Sequence, residues 1–292
     1  MNIVTLKSKT DDGTPLVASF LPDAGMNMIS FKKGTIEVID QSTKNLFDER
    51  FAGLGALIGP HFHRRKPETL PKISDESLFP HIARVKAKGP QDPFSHGIAR
   101  YAPWKYEATE STIKGLITGK DTWNGITLAS IEGQQFTMRF TAELSPKGLD
   151  IELNVVSDTD SVVGIHYYYN LPNGKGTVKA QVQPEFIEND ERKLIPSNWP
   201  VDAQRMMAFD LNNEADFTFF PYPNPRIGKI TLDTGSYTLN TEYTCQSQEN
   251  SWQLYHPKGA SFVCIEPLSS QDPRHPNLSV SGIKIHLEIL TP

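Results

Sequence analysis

Apolar and polar residues alternate along much of the chain with a period of two. Leu149, Ile151, Leu153 and Val155 alternate with charged or polar neighbours, as do Met138, Phe140, Ala142 and Leu144. Val178, Ala180 and Val182 repeat the pattern, and Ile283, Ile285, Leu287 and Ile289 alternate with Lys284, His286 and Glu288. Such alternation predicts strands with one buried face and one wet face. Further short strands are expected at 3–7, 15–20, 26–31, 36–39, 114–118, 162–169, 229–232, 252–256 and 261–265. Helical signals are scarce: segments 44–51 and 202–209 are each long enough for two turns, and neither shows a sustained 3.6 period. The 22 prolines and 20 glycines fall mostly between the strands, where turns need them. The stretch 60–103 lacks strand pattern and is rich in His, Arg and Pro, which reads as a long loop region of functional or disordered character. Many short strands with turn chemistry at close spacing predict an all-β, antiparallel β-sandwich or barrel. Without repeat, low-complexity tract or linker, the chain 1–292 reads as a single domain.

Composition narrows the function classes. Lys and Arg number 29 against 34 Asp and Glu, a formal net charge of −5. A nucleic-acid binder needs a basic patch to neutralise phosphates, so nucleic acid is not an expected partner, and neither is an anionic membrane surface. Two cysteines, Cys245 and Cys264, are too few for a disulfide framework, and two buried thiols are expected. The N-terminal residues carry no basic segment followed by an apolar stretch. The apolar run Phe51–Pro60 is far short of the roughly 20 residues that span a bilayer. A cytoplasmic protein, monomer or homodimer, is expected.

There is no G-x-S-x-G elbow, Walker A loop, H-E-x-x-H or paired C-x-x-C, which leaves histidines, carboxylates and arginines to carry any chemistry. Four clusters stand out. In Gly59-Pro-His-Phe-His-Arg-Arg65, His61 and His63 would share a face on a strand. With Glu68 they make an H-x-H-x4-E spacing similar to the first metal motif of the cupins, but no second motif with a third histidine follows. In Ser95-His96-Gly97, a histidine precedes a glycine that lets a backbone turn tightly beside a ligand. Trp104, beyond it, suits a sugar face or the core. In His166-Tyr-Tyr-Tyr-Asn170, His166, Tyr168 and Asn170 would face one side of a strand, and Tyr167 and Tyr169 the other. Glu266, before Pro267, closes an apolar run. A carboxylate there is costly to bury unless used or paired, and a place at a sheet rim is expected.

Taken in order, these segments resemble the aldose 1-epimerase (galactose mutarotase) family over most of the chain. Leu21–Ser30 resembles its early glycine turn. Gly59–Arg64 resembles the glycine-led segment ending in a substrate-binding arginine, which implies that role for Arg64, with Arg65 as the competitor. His96-Gly-Ile-Ala-Arg100 with Trp104 resembles H-G-F-x-R…W, whose histidine binds the sugar. His166-Tyr-Tyr-Tyr-Asn-Leu resembles H-x-Y-F-N-L, whose histidine is the general acid. Segment 184–196 resembles the stretch that follows it. Ala215-Asp216-Phe resembles the segment with a substrate-binding carboxylate, implying Asp216, with Asp210 as the competitor. Cys264-Ile-Glu266-Pro resembles x-E-P, whose glutamate is the general base.

The resemblance implies a galactose mutarotase-like supersandwich. It also implies interconversion of α and β anomers of a small-molecule sugar by acid–base ring opening, with no metal or cofactor. A hexose-6-phosphate 1-epimerase is the nearest alternative, with Arg64, Arg65, Lys66 and Arg100 available for a phosphate. A non-catalytic carbohydrate-binding protein of the same fold is the other.

Overall fold

A computed structural model describes residues 1–291. Among the described residues every strand pairing is antiparallel, and the pairings form two large sheets joined through one shared strand, with a separate two-stranded ladder of Thr122–Trp123 and Ile126–Thr127. The first runs through Val4–Lys9, Pro15–Leu21, Asn27–Lys33, Gly55–Ile58, Gly164–Asn170, Phe262–Leu268, Ser251–His256 and Ala215–Pro221. The second runs through Lys105–Ala108, Thr112–Thr118, Phe136–Ser145, Gly148–Ser157, Val280–Leu290, Thr238–Cys245 and Ile227–Asp233. The long strand Thr177–Glu188 belongs to both. Its first half pairs with Ile227–Asp233 and Met206–Asp210 in the second sheet. From Val182 onward it pairs with Ala215–Pro221 in the first, with a register shift after Val182. The result is the sandwich that the alternating pattern predicts.

The second sheet follows that pattern closely. Phe140 pairs with Leu153 and Met138 with Val155, and Ile151 and Leu149 sit beside Ile285 and Leu287. All eight point into the core, while residues between them face outward. Phe140 meets Phe20 of the first sheet edge-on, with ring centroids 5.7 Å apart, so the two inner faces share one core. The middle of the first sheet behaves differently. Gly55–Ile58 is buried at every position, as is Gly164–Tyr169, because these strands are covered on both faces. Trp104 is core: it lies against Phe140, and its ring N–H donates to the Ala99 carbonyl at 2.9 Å.

Segment 44–51 forms the helix Lys44–Arg50, as expected. Segment 202–209 does not form a helix. It turns at Asp202–Arg205 and continues as the strand Met206–Asp210, paired with Thr177–Gln181. Burial of Met207 and Phe209, two apart, outweighs the weak helical preference. The region 60–103 holds no strand. It carries the helix Pro80–Lys86 and is anchored by an aromatic cluster in which His81 stacks on Tyr101 and Phe79 meets Trp123. Both cysteines are buried free thiols. Among the described residues, no helix is long and apolar enough to cross a membrane.

Candidate active site

His166 and Glu266 stand on neighbouring central strands. Tyr167 pairs with Ile265, so the residues one step away, His166 and Glu266, are also opposite one another. His166 Nε2 lies 3.3 Å from Glu266 Oε1. Glu266 is not at a rim. The strand continues through Pro267, which is in register with Trp252, and it is flanked on both sides, so Glu266 is only 1% exposed. Its Oε2 and the His166 Nδ1 have no protein partner. Burial pushes the Glu266 carboxyl well above the usual carboxylate range, against the pull of the Arg100 guanidinium. Burial holds the His166 imidazole well below its ordinary value, and Arg100 adds to this. Both effects disfavour charge on the pair. Tyr168 stacks on the His166 ring, with centroids 4.9 Å apart. Asn170 ends the strand half-buried and away from the cavity, its carbonyl accepting from the Tyr237 hydroxyl.

His96 comes from the long loop. Its backbone is left-handed, with φ of 67°. Its N–H donates to the His63 carbonyl at 2.7 Å, and its Nδ1 accepts the His63 N–H at 3.2 Å. That contact leaves Nε2 as the protonated nitrogen of the neutral ring. The ring stands edge-on to His166, with centroids 5.1 Å apart. Gly97 follows with φ of 88°, pressed against the Gly59 carbonyl.

The arginine pair separates cleanly. Arg65 turns inward: its guanidinium grips both oxygens of buried Asp92 at 3.0 Å and donates to the Ile131 and Glu132 carbonyls. Arg64 is exposed and lines the cavity. The two histidines also diverge, because His63 has φ of 61° and the segment is not a strand. His61 bonds to Glu132 through Nδ1 and faces Asp92 through Nε2 at 3.6 Å. His63 lines the cavity, its imidazole pushed down to about 4 by burial and by Arg274 and Arg64. Glu68 sits on an exposed turn. The cupin-like spacing therefore does not assemble a cluster. Among the described residues, the side chains of metal-ligating type that do converge are His166, Cys264 and Glu266.

Asp216 lies on the strand Ala215–Pro221 and accepts a hydrogen bond from the Gln253 amide at 2.5 Å. Asp210 is exposed at the end of its own strand, where it accepts the Asn212 N–H at 2.8 Å, outside the cavity. Arg64, His96, His166, Asp216 and Glu266 thus come from five separate segments to line one cavity of about 270 Å³. Arg50, Arg100, Gln253, Tyr255 and Arg274 line it as well. The sequence carried a signal for Gln253 and Tyr255, which alternate with Trp252 and Leu254 and so share a polar strand face. Arg50 and Arg274 lie in a helix end and a loop, where no periodicity marks them. Arg100 is 3% exposed; its Nε donates to the Leu57 carbonyl at 3.3 Å, and its Nη2 has no partner.

No protein-family model and no curated protein sequence matches the chain. Solved structures do. A galactose mutarotase-like protein from Lactobacillus casei is similar at a TM-score of 0.69 and 13% identity, over 99% of this chain and 100% of that one. An aldose epimerase homologue from C. elegans matches at 0.69 and 13%, over 99% of each chain. A galactose mutarotase related enzyme from Lactobacillus acidophilus matches at 0.64 and 15%, over 99% and 98%. Shared end-to-end architecture at such identities speaks to fold: this chain has the galactose mutarotase-like fold.

Proposed function

We propose that the protein is an aldose 1-epimerase, interconverting the α and β anomers of a hexose. The observation that carries this reading is the meeting of an acid–base pair, His166 and Glu266 at 3.3 Å, with Arg64, His96 and Asp216 in one polar cavity. Glu266 removes the proton from the C1 hydroxyl while His166 protonates the ring oxygen. The ring opens, the aldehyde turns about C1–C2, and closure on the other face returns both protons. These roles need the pair's one mobile proton on His166 and Glu266 ionised, a state that burial opposes on both partners, and the limbs of the pH profile belong to the pair. The His96 Nε2–H donates to a ring or hydroxyl oxygen, Asp216 accepts from sugar hydroxyls, and Arg64 closes over the mouth. Positioned acid–base groups each supply about 10²–10⁴-fold, enough for a ring opening that water already performs slowly.

The test is polarimetry on freshly dissolved α-D-glucose and α-D-galactose in EDTA. Glu266→Gln keeps the shape and removes the base, so mutarotation should fall about 10²–10⁴-fold with sugar binding retained. Normal turnover by that variant would end the mechanism. Binding of sugar without any acceleration by the wild-type protein would leave a carbohydrate-binding protein on this scaffold.

A second reading has its own support. Four arginines, Arg50, Arg64, Arg100 and Arg274, line the same cavity, which suits a phosphorylated hexose. Acceleration confined to glucose 6-phosphate in an anomer-specific coupled assay would move the assignment there.

A further inference from the structure

One buried group beside the acid–base pair takes no part in the proposed reaction. Cys264 precedes Glu266 by two residues on one strand, so both side chains lie on the same face. It is a free thiol, fully buried. A ring nitrogen of His166, the Sγ of Cys264 and a carboxylate oxygen of Glu266 all lie within 4.8 Å of one another. His166 is 7% exposed and Glu266 1%, and each keeps a buried polar atom with no protein partner, His166 Nδ1 and Glu266 Oε2.

We infer that His166, Cys264 and Glu266 form a site for a thiophilic divalent cation of the zinc type, whose occupancy shuts the acid–base pair down. Tetrahedral zinc holds nitrogen and oxygen ligands at about 2.0–2.2 Å, which sets them about 3.3–3.5 Å apart. The His166 Nε2 to Glu266 Oε1 separation of 3.3 Å already matches that edge. Zinc–sulfur bonds are near 2.3 Å, so the Cys264 sulfur, within 4.8 Å of both partner atoms, must draw in to complete the third ligand. The cavity supplies water for the fourth position. One sulfur, one nitrogen and one oxygen donor favour zinc or cadmium over magnesium or calcium. A thiolate and a carboxylate neutralise the dication, so Arg100 beneath the pair meets no added net charge. A bound metal would occupy the lone pairs that acid–base work requires. The metal site stands on this geometry alone; the inhibition rests on the proposed function.

Cobalt titration of the full-length protein, stripped with EDTA and desalted, tests the site directly. One equivalent of Co²⁺ should give a sulfur-to-cobalt charge-transfer band in the near ultraviolet, abolished by Zn²⁺. Cys264→Ser should lose the band and bind zinc about tenfold or more weakly, while Cys245→Ser keeps both. Absence of the band in the folded wild-type protein would overturn the proposal whatever the variants do. Undiminished zinc affinity in Cys264→Ser would overturn it too, assigning the metal to exposed pairs such as His275–Asp272 or His286–Asp150. Stoichiometric zinc should also abolish mutarotation reversibly, and full activity with thiolate-bound zinc would sink the inhibitory role. A thiolate-bound metal in a protein with no epimerase activity at all would uphold the site while removing the proposed reaction.

Discussion

Replacing Gly97 by alanine puts a methyl group where the fold has no space. A Cβ built there lies 2.0 Å from the Gly59 carbonyl oxygen and 2.8 Å from the Pro60 nitrogen. Those atoms are backbone, so no side chain can swing aside, and the Gly59–Pro60 turn must retreat by about an ångström. That turn is tied to the same loop by hydrogen bonds from Gly59 N–H to the His96 carbonyl and from Ala99 N–H to the Gly59 carbonyl. Gly97 also has φ of 88° with ψ of 157°, a conformation nearly confined to glycine that costs a side-chain-bearing residue about 1–3 kcal/mol. Overpacking adds about 1–3 kcal/mol. The combined loss of about 2–6 kcal/mol should lower Tm by roughly 3–10 °C in a chain of this size. The displaced ring is His96, beside His166, and a 1 Å misplacement of such a group costs about 10²-fold in rate. Differential scanning calorimetry and polarimetry on the same preparation check both effects. A Gly97→Ala protein with wild-type Tm and wild-type kcat/KM would refute the argument that this contact sets the position of His96.

The two arginines should behave oppositely. Arg65→Ala leaves buried Asp92 without its bidentate partner, with only His61 at 3.6 Å to offset its charge, which should cost up to about 3–5 kcal/mol in denaturant unfolding, whereas Arg64→Ala should leave stability within experimental error and raise KM; the reverse pattern would exchange their roles. Asp216→Ala should weaken sugar binding by calorimetry, while Asp210→Ala should not, since its carboxylate serves its own turn. Burial alone would lower the His61 pKa, but Glu132 and Asp92 outweigh it and raise it above 6.5. Its stabilising contribution is therefore complete below that value and fades as pH rises through the raised pKa. Urea unfolding from pH 6 to 9 should show this decline in the wild type and a flatter profile in His61→Gln, and identical profiles would disprove it.

Strands with one wet face were legible from alternation, and the second sheet matches its predicted strands closely. Gly55–Ile58 was not, because burial on both faces erases the period, and a run of four apolar residues reads equally as any buried segment. Met206–Asp210 was not legible either, because its partner strand lies some thirty residues earlier and no local pattern encodes that pairing. At the site, motif resemblance named His96, His166 and Glu266, and the fold brings these three to one cavity with Arg64 and Asp216, leaving Arg65 and Asp210 outside it. The burial of Glu266 was invisible because Pro267 reads as a strand end, while in the sheet its neighbours carry the pairing on either side. Arg50 and Arg274 arrive through tertiary packing alone.

His166 and Glu266 are rooted in adjacent strands that are covered on both faces, whereas Arg64, His96 and Arg274 ride on connecting segments. On the proposed function, reactivity and selectivity are thereby written into different parts of the gene. Insertions or substitutions in the connections can re-tailor which sugar is admitted while the reacting pair keeps its spacing. Drift in those connections erodes recognisable sequence first, so two proteins with this architecture can diverge in diet long before they diverge in chemistry.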